Sequence, residues 1–207
     1  MTRVHETRRN TRRNTRLWVA RHAPVIAENR CYGRTDVTPQ IAHDRAAKGL
    51  IDSFPEKTPD IVWTSPLSRC RALAEHLAAH FRASLRVDAS LHEMDFGAWD
   101  GLTWPEIETR DPDAYARWLR EWEHIAPPGG EGPRDLEARV RAWFSSLDPA
   151  RDHALVAHAG VVRALHVVIH ARSWPEAMQL PVEHLSWMRF ESGALDMTTA
   201  RRQHARR

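Results

Sequence analysis

The chain has 207 residues, 42% of them hydrophobic, and a formal charge of +3, which suits one soluble domain with a real core and leaves too little polymer for two. No stretch approaches the roughly 18 apolar residues of a membrane span, and Leu17 to Ala20 falls short of the about 7 to 15 apolar residues of a secretory signal, so a cytoplasmic protein with no membrane partner is expected. Two cysteines, Cys31 and Cys70, provide neither a disulfide framework nor a zinc pattern.

Residues 1–16 repeat Thr-Arg-Arg-Asn at 7–10 and 11–14 and hold six Arg against one Glu. With little apolar material to bury, they predict a disordered basic tail. Aromatic residues that would stack on bases are not interleaved with the arginines, which argues against nucleic acid as a partner. A second basic tail is expected at 200–207, where four Arg stand, so the body between the two tails carries −6.

Leu17-Trp18-Val19-Ala20 reads as a buried strand that empties into a loop at Arg21-His22-Ala23-Pro24. Glu28 to Thr38, polar and punctuated by Gly33, reads as a loop over that strand end. Thr38-Pro39 predicts a helix to about Ser53 with Ile41, Ala42, Ala46, Gly49 and Leu50 inward. Asp60 to Trp63 is a second strand, followed by a helix from Pro66 to about Phe81. That helix turns Leu67, Ala74, Leu77 and Ala78 inward and carries Arg69 in its first turn. Arg86-Val87-Asp88 is a short extended piece, and Leu91 to Gly101 a loop. Trp104 to Glu123 has a helical pattern broken at Asp111-Pro112, a helical insertion over about 103–123 placed to cap the strand ends. After the stop at Pro127-Pro128-Gly129-Gly130 come a helix from Pro133 to about Leu147, a buried strand at His153 to Ala157, and a helix from Val161 to Ala171. Trp174 to Leu180 is a short helix or turn. His184 to Glu191 and Ala194 to Thr199 read as a closing hairpin around Ser192-Gly193. Strands alternating with helices predict an α/β fold, a three-layer sandwich with a mostly parallel central sheet flanked by helices.

In such sheets ligands bind beyond the carboxyl ends of the strands. Arg21 and His22 follow one strand, Arg69 lies one turn into the helix after another, and His158 follows a third. Guanidinium groups clamp the oxygen pairs of an anion, and a neutral imidazole attacks an electrophile such as phosphorus. Arg69 is unfavourably placed against the positive end of its helix unless an anion lies between them. Glu93, flanked in sequence by Met94, Phe96 and Trp99, is the candidate proton donor, since a carboxyl held near apolar rings keeps its proton at neutral pH. The chain lacks paired histidines at metal-binding helical spacing with a carboxylate partner, so no metal and no cofactor are expected.

Together, Arg21-His22-Ala23, Ser65-Pro66-Leu67-Ser68-Arg69, the run from Leu91-His92-Glu93 to Phe96-Gly97-Ala98-Trp99-Asp100-Gly101, and Val156-Ala157-His158-Ala159-Gly160 resemble the four signatures of the histidine phosphatase superfamily, in the family's order. Cys31-Tyr32-Gly33-Arg34-Thr35-Asp36 and Glu93 to Trp99 are similar to members described as alpha-ribazole phosphatases. The resemblance implies a phosphoglycerate mutase-like domain over 17–199. It also implies that His22 is the nucleophile, that Arg21, Arg69 and His158 hold the phosphoryl oxygens, and that Glu93 protonates the leaving group. The expected partner is a small phosphate ester, and the expected state a monomer or homodimer. Alternatives are a broad-specificity phosphatase, a phosphoglycerate mutase-type phosphotransferase, or a phosphate-binding protein of the same fold without catalysis. The pattern departs from the family after the nucleophile: Ala23-Pro24 replaces the usual Gly, Val25 stands in the place of a Thr, and Glu28 in the place of an Asn. A carboxylate there repels phosphate, so either Glu28 turns away and Asn29 or Arg34 substitutes, or the pocket prefers another substrate.

Overall fold

The structure, a computed structural model, describes residues 15–191 except Glu28 and Lys57. The tail repeats before residue 15, the arm at Ala194 to Thr199, the tail at 200–207 and the expectation placed on Glu28 therefore lie outside the described residues.

The strands are β1 (Arg16–Arg21), β2 (Ile61–Thr64), β3 (Ser84–Val87), β4 (Asp152–Ala157) and β5 (Trp187–Glu191). They form one sheet in the order β3-β2-β4-β1-β5. Every pairing is parallel except β5, which runs antiparallel to β1. The helices are α1 (His43–Asp52), α2 (Ser68–Phe81), α3 (Trp104–Arg110), α4 (Pro112–Glu121), α5 (Pro133–Ser145), α6 (Ala159–His170) and α7 (Trp174–Met178). Short 3₁₀ turns at Ala89–Leu91 and Gly97–Trp99 punctuate the loop between β3 and α3.

Alternation along the strands sorts the core into two layers. Leu17 and Val19 of β1 and Leu155 and Ala157 of β4 pack with Leu136 and Val140 of α5 and Val161 and Leu165 of α6. Their neighbours Ala20, Ala154 and Val156 face the opposite way, against Ala46 and Leu50 of α1 and Leu73 and Leu77 of α2. The result is the expected helix–sheet–helix sandwich. The small alanines on the second face let α1 and α2 approach closely, and each buried Leu or Val contributes roughly 1.5–3 kcal/mol.

Several boundaries differ from the sequence pattern by a few residues, and two of them have a visible cause. The first helix opens at His43 and not at Thr38-Pro39, because residues 38–40 have a backbone partner elsewhere. Ile26 donates to the Thr38 carbonyl, Gln40 donates to the Pro24 carbonyl, and Val25 bridges Pro39. A proline suits the start of a helix as well as an extended edge, and the loop after β1 decides between them. Arg16, expected in the tail, opens β1 and forms an ion pair with Asp152 of β4. Of the closing hairpin, the described arm pairs with β1.

The insertion has its own small core. Ile107 of α3 packs with Trp99 and Cys31, and Trp104, Tyr115 and Trp118 close over them. Thr103 and Glu106 form a reciprocal capping box that starts α3. Among the described residues no helix is long and apolar enough to cross a membrane.

Candidate active site

The parallel register places three strand ends side by side: Arg21 opposite Ala157, and Thr64 opposite Val156. His22, His158 and the start of α2 therefore emerge at one edge. The ring centroids of His22 and His158 lie 5.3 Å apart with planes at 64°. His22 is 2% exposed, and His158 and Arg69 are fully buried.

The guanidinium of Arg69 is held from one side. Its Nη1 donates to the Thr35 carbonyl at 2.8 Å and its Nη2 to the Gly33 carbonyl at 2.9 Å. Nε is buried with no acceptor. Asp36 lies 3.7 Å from Nη1, and the group rests over the Tyr32 ring. Arg21 follows the same pattern, with Nη1 on the Val182 carbonyl at 2.9 Å and a buried Nε without an acceptor. Two donors are thus withheld from water and unanswered by protein, a costly state that a bound oxyanion relieves.

His22 is fixed in one tautomer. Its Nδ1 meets the Ala23 carbonyl at 2.7 Å, and since a carbonyl only accepts, Nδ1 carries the proton and Nε2 the lone pair. Burial, reinforced by the positive charge of Arg69, pulls its pKa down to about 3. Burial also holds His158 well below the ordinary range, again with Arg69 adding to the effect. Both rings are neutral at neutral pH. The sulfur of Cys70 touches both ring nitrogens of His158 at 3.5–3.6 Å, and burial keeps this thiol protonated.

Glu93 reaches the same edge. Its Oε1 accepts from the Met94 N–H at 2.9 Å, and its Oε2 accepts from the Gly160 N–H at 3.2 Å, at the N-terminus of α6. The approach depends on Gly160, where a Cβ would come within 2.2 Å of Oε1. The expected neighbours divide. Met94 and Phe96 line a cavity with Glu93, whereas Trp99 turns away into the core of the insertion and donates to Asp111. Its ring has Ile107 and Cys31 to bury against, and α3 and α4 cover it.

The two substitutes proposed for the missing Asn are not brought to the histidines. Asn29 occupies an exposed turn at φ 59°, and its side chain makes no hydrogen bond among the described residues. The guanidinium of Arg34 stands 3.7 Å from Asp95 and 3.8 Å from Glu131. Two carboxylates already answer that charge, and the backbone N–H of Arg34 is tied to Asp100 at 2.6 Å.

Three other residues reach the site without any motif to announce them. His184 donates from Nδ1 to the backbone carbonyl of His22 at 2.6 Å, and its ring lies 5.4 Å from that of His22. Arg139 of α5 donates to the carbonyls of Ser90, His92 and Glu93 while pairing with Glu131. Arg163 of α6 lines the cavity beside Glu93. Among the described residues no three His, Cys, Asp or Glu side chains gather as a metal ion would need.

The sequence matches the histidine phosphatase superfamily (branch 1) over residues 17–201. The chain belongs to that family. Among curated relatives, a bifunctional protein of Mycobacterium tuberculosis is 40% identical over 99 residues, 48% of this chain and 25% of its own length. The chain thus spans only about a quarter of the first curated relatives it matches. Full-length similarity is found elsewhere. The glucosyl-3-phosphoglycerate phosphatase of M. tuberculosis is 29% identical over 79% of this chain and 80% of its own. The adenosylcobalamin/alpha-ribazole phosphatase of Escherichia coli is 26% identical over 72% and 76%. In fold, the alpha-ribazole phosphatase from Shigella flexneri superposes with a TM-score of 0.77 at 23% identity, covering 86% of this chain and 94% of that one. The activities named for the M. tuberculosis and E. coli relatives are phosphatase activities.

Proposed function

We propose that this histidine phosphatase hydrolyses a small phosphate monoester through a phosphohistidine on His22, without a metal ion, in the cytoplasm. The supporting observation is the pair of neutral imidazoles at 5.3 Å, with Arg69 and Arg21 near enough for their charge to act on His22 and each keeping a buried Nε without an acceptor. The lone pair on His22 Nε2 attacks phosphorus, and the bond to the leaving oxygen breaks. The departing oxygen takes its proton from Glu93. Glu93 then accepts a proton from water as the hydroxyl adds to phosphorus, and the P–N bond breaks to return the lone pair to His22 and release orthophosphate. Arg21, Arg69 and His158 stabilise the charge that spreads over the equatorial oxygens, the work that magnesium does in other phosphoryl transfers.

For the natural substrate, alpha-ribazole 5′-phosphate, in cobalamin biosynthesis, comes first, on the similarity to the E. coli and S. flexneri proteins. Glucosyl-3-phosphoglycerate is the second reading, favoured by the longer alignment to the mycobacterial protein. The test of the chemistry is a rapid quench with labelled phosphate ester. Wild type should carry acid-labile, base-stable label and His22→Ala none. Hydrolysis no faster in wild type than in His22→Ala would leave only a phosphate-binding protein of this fold.

A further inference from the structure

The cavity beside Glu93 is larger and drier than a phosphate requires. Its volume is about 470 Å³, within the roughly 300–1,000 Å³ that envelops a small organic ligand. Its walls come from the insertion, from α5 and α6, and from α7. Four indoles contribute, Trp104, Trp118, Trp122 and Trp174, and Trp104 and Trp118 stack at 6.1 Å with planes 16° apart to make a flat wall. At the rim, Leu119 and Met178 are 54% and 46% exposed, large apolar side chains held open to water. Only two lining residues are charged, Glu93 and Arg163. Glu93 lines this cavity and accepts from the Gly160 N–H at the N-terminus of α6, two residues beyond His158, so the cavity meets the site at its candidate proton donor.

Arg163 has no hydrogen-bonded task among the described residues, and the opposite charge that acts on it is that of Glu93 in the same cavity. Among the described residues it makes no hydrogen bond or ion pair, and its Nε is buried without an acceptor. A guanidinium kept half-buried among indoles is a donor awaiting an oxygen. A leaving group made only of sugar or polyol would leave its hydroxyls unpaired against walls that offer few acceptors, which ranks glucosyl-3-phosphoglycerate below an ester such as alpha-ribazole 5′-phosphate, whose leaving group also carries an aromatic ring. A flat aromatic body loses nothing there and gains ring contacts.

We propose that this cavity seats the leaving group of the ester, that the group it selects is a flat aromatic body bearing an acceptor oxygen, and that Arg163 is the specificity-determining residue that reads that oxygen. The proposal rests on the phosphatase reading for its place in a reaction, but its selectivity is measurable without turnover. Phosphonates cannot be hydrolysed, and the indoles report on binding by their fluorescence. Benzylphosphonate should bind the full chain about tenfold more tightly than 2-hydroxyethylphosphonate, and 4-carboxybenzylphosphonate roughly fivefold more tightly still. Arg163→Gln should erase the gain from the carboxylate, and Arg163→Lys should recover part of it. Met178→Glu, at an exposed rim position, should weaken benzylphosphonate about threefold or more. Equal affinity for the benzyl and hydroxyethyl compounds, or a carboxylate gain that survives Arg163→Gln, overturns the proposal. Selective binding with no label on His22 would overturn the catalytic reading and leave the cavity's assignment standing. Label on His22 with no selectivity would do the reverse.

Discussion

At the scale of single residues, the site is built from groups that would be costly anywhere else. A fully buried guanidinium, two buried imidazoles and a carboxylate seated on a helix N-terminus are tolerable because backbone carbonyls and N–H groups fix each of them from one side. Gly160 is the narrowest point of that arrangement. In Gly160→Ala the new methyl would stand 2.2 Å from Glu93 Oε1, so the carboxyl must leave the leaving-group oxygen. Hydrolysis of alkyl phosphates, whose departing oxygen needs a proton, should fall about 100-fold, near 2.7 kcal/mol of barrier, while an ester with a good leaving group such as 4-nitrophenyl phosphate loses about tenfold or less. Steady-state kinetics on the two esters checks this, and equal losses on both would remove Glu93 from the role of acid. That His22, Arg21, Arg69, His158 and Glu93 gather at one edge was legible in the sequence, because each sits in a short motif beside a strand or helix boundary. His184 was not. Its contact with the His22 carbonyl joins positions 162 residues apart, and no local pattern distinguishes it from a histidine that merely begins a strand.

At the scale of elements, the loop that carries Glu93 is fastened by α5. Arg139 donates to three carbonyls of that loop, those of Ser90, His92 and Glu93, and forms its ion pair with Glu131 at 2.7 Å, where both side chains are less than one-fifth exposed. Arg139→Met should cost about 2 kcal/mol or more in urea unfolding, since it leaves carbonyls and a carboxylate without donors. It should also slow alkyl ester hydrolysis through loss of Glu93 alignment. Adding Glu131→Gln should recover part of the stability and none of the rate, a cycle that separates the buried charge from the positioning. Sequence patterns found every sheet strand and helix described, and their errors are confined to ends where tertiary partners compete. The start of α1 slipped from Pro39 to His43 because the chain at 38–40 found carbonyls and N–H groups on the loop after β1. Likewise Trp99 left Glu93 for the insertion, a choice made by packing that adjacency in sequence does not record.

At the scale of the molecule, buried neutral histidines set the response to acid. His22 is drawn down to about 3 and His166 to about 4, chiefly by burial, and His158 and His184 shift in the same direction. In the unfolded chain these groups titrate near 6.5. Below that value the unfolded state binds more protons, so stability rises with pH there. It is complete above about pH 6.5 and lost as the pH falls through about 6 toward 4, at up to about 1.4 kcal/mol per pH unit for buried His22 and less for the half-buried His166 and His184, whose charge water screens. Urea midpoints measured from pH 7.5 to 4.5 should therefore fall steadily, and His22→Gln should flatten part of the decline. A midpoint constant down to pH 4.5 would contradict the burial of these rings.

The stitching of the nucleophile's loop has a consequence for how the enzyme comes into being. Arg21 is tethered to the Val182 carbonyl, Leu185 donates to the Arg21 carbonyl, and His184 holds the carbonyl of His22. In synthesis His22 precedes His184 by 162 positions. A polypeptide that has not yet reached Val182 to Leu185 therefore shows the His22 imidazole without the parts that hold its loop, and on the proposed chemistry hydrolysis waits for them.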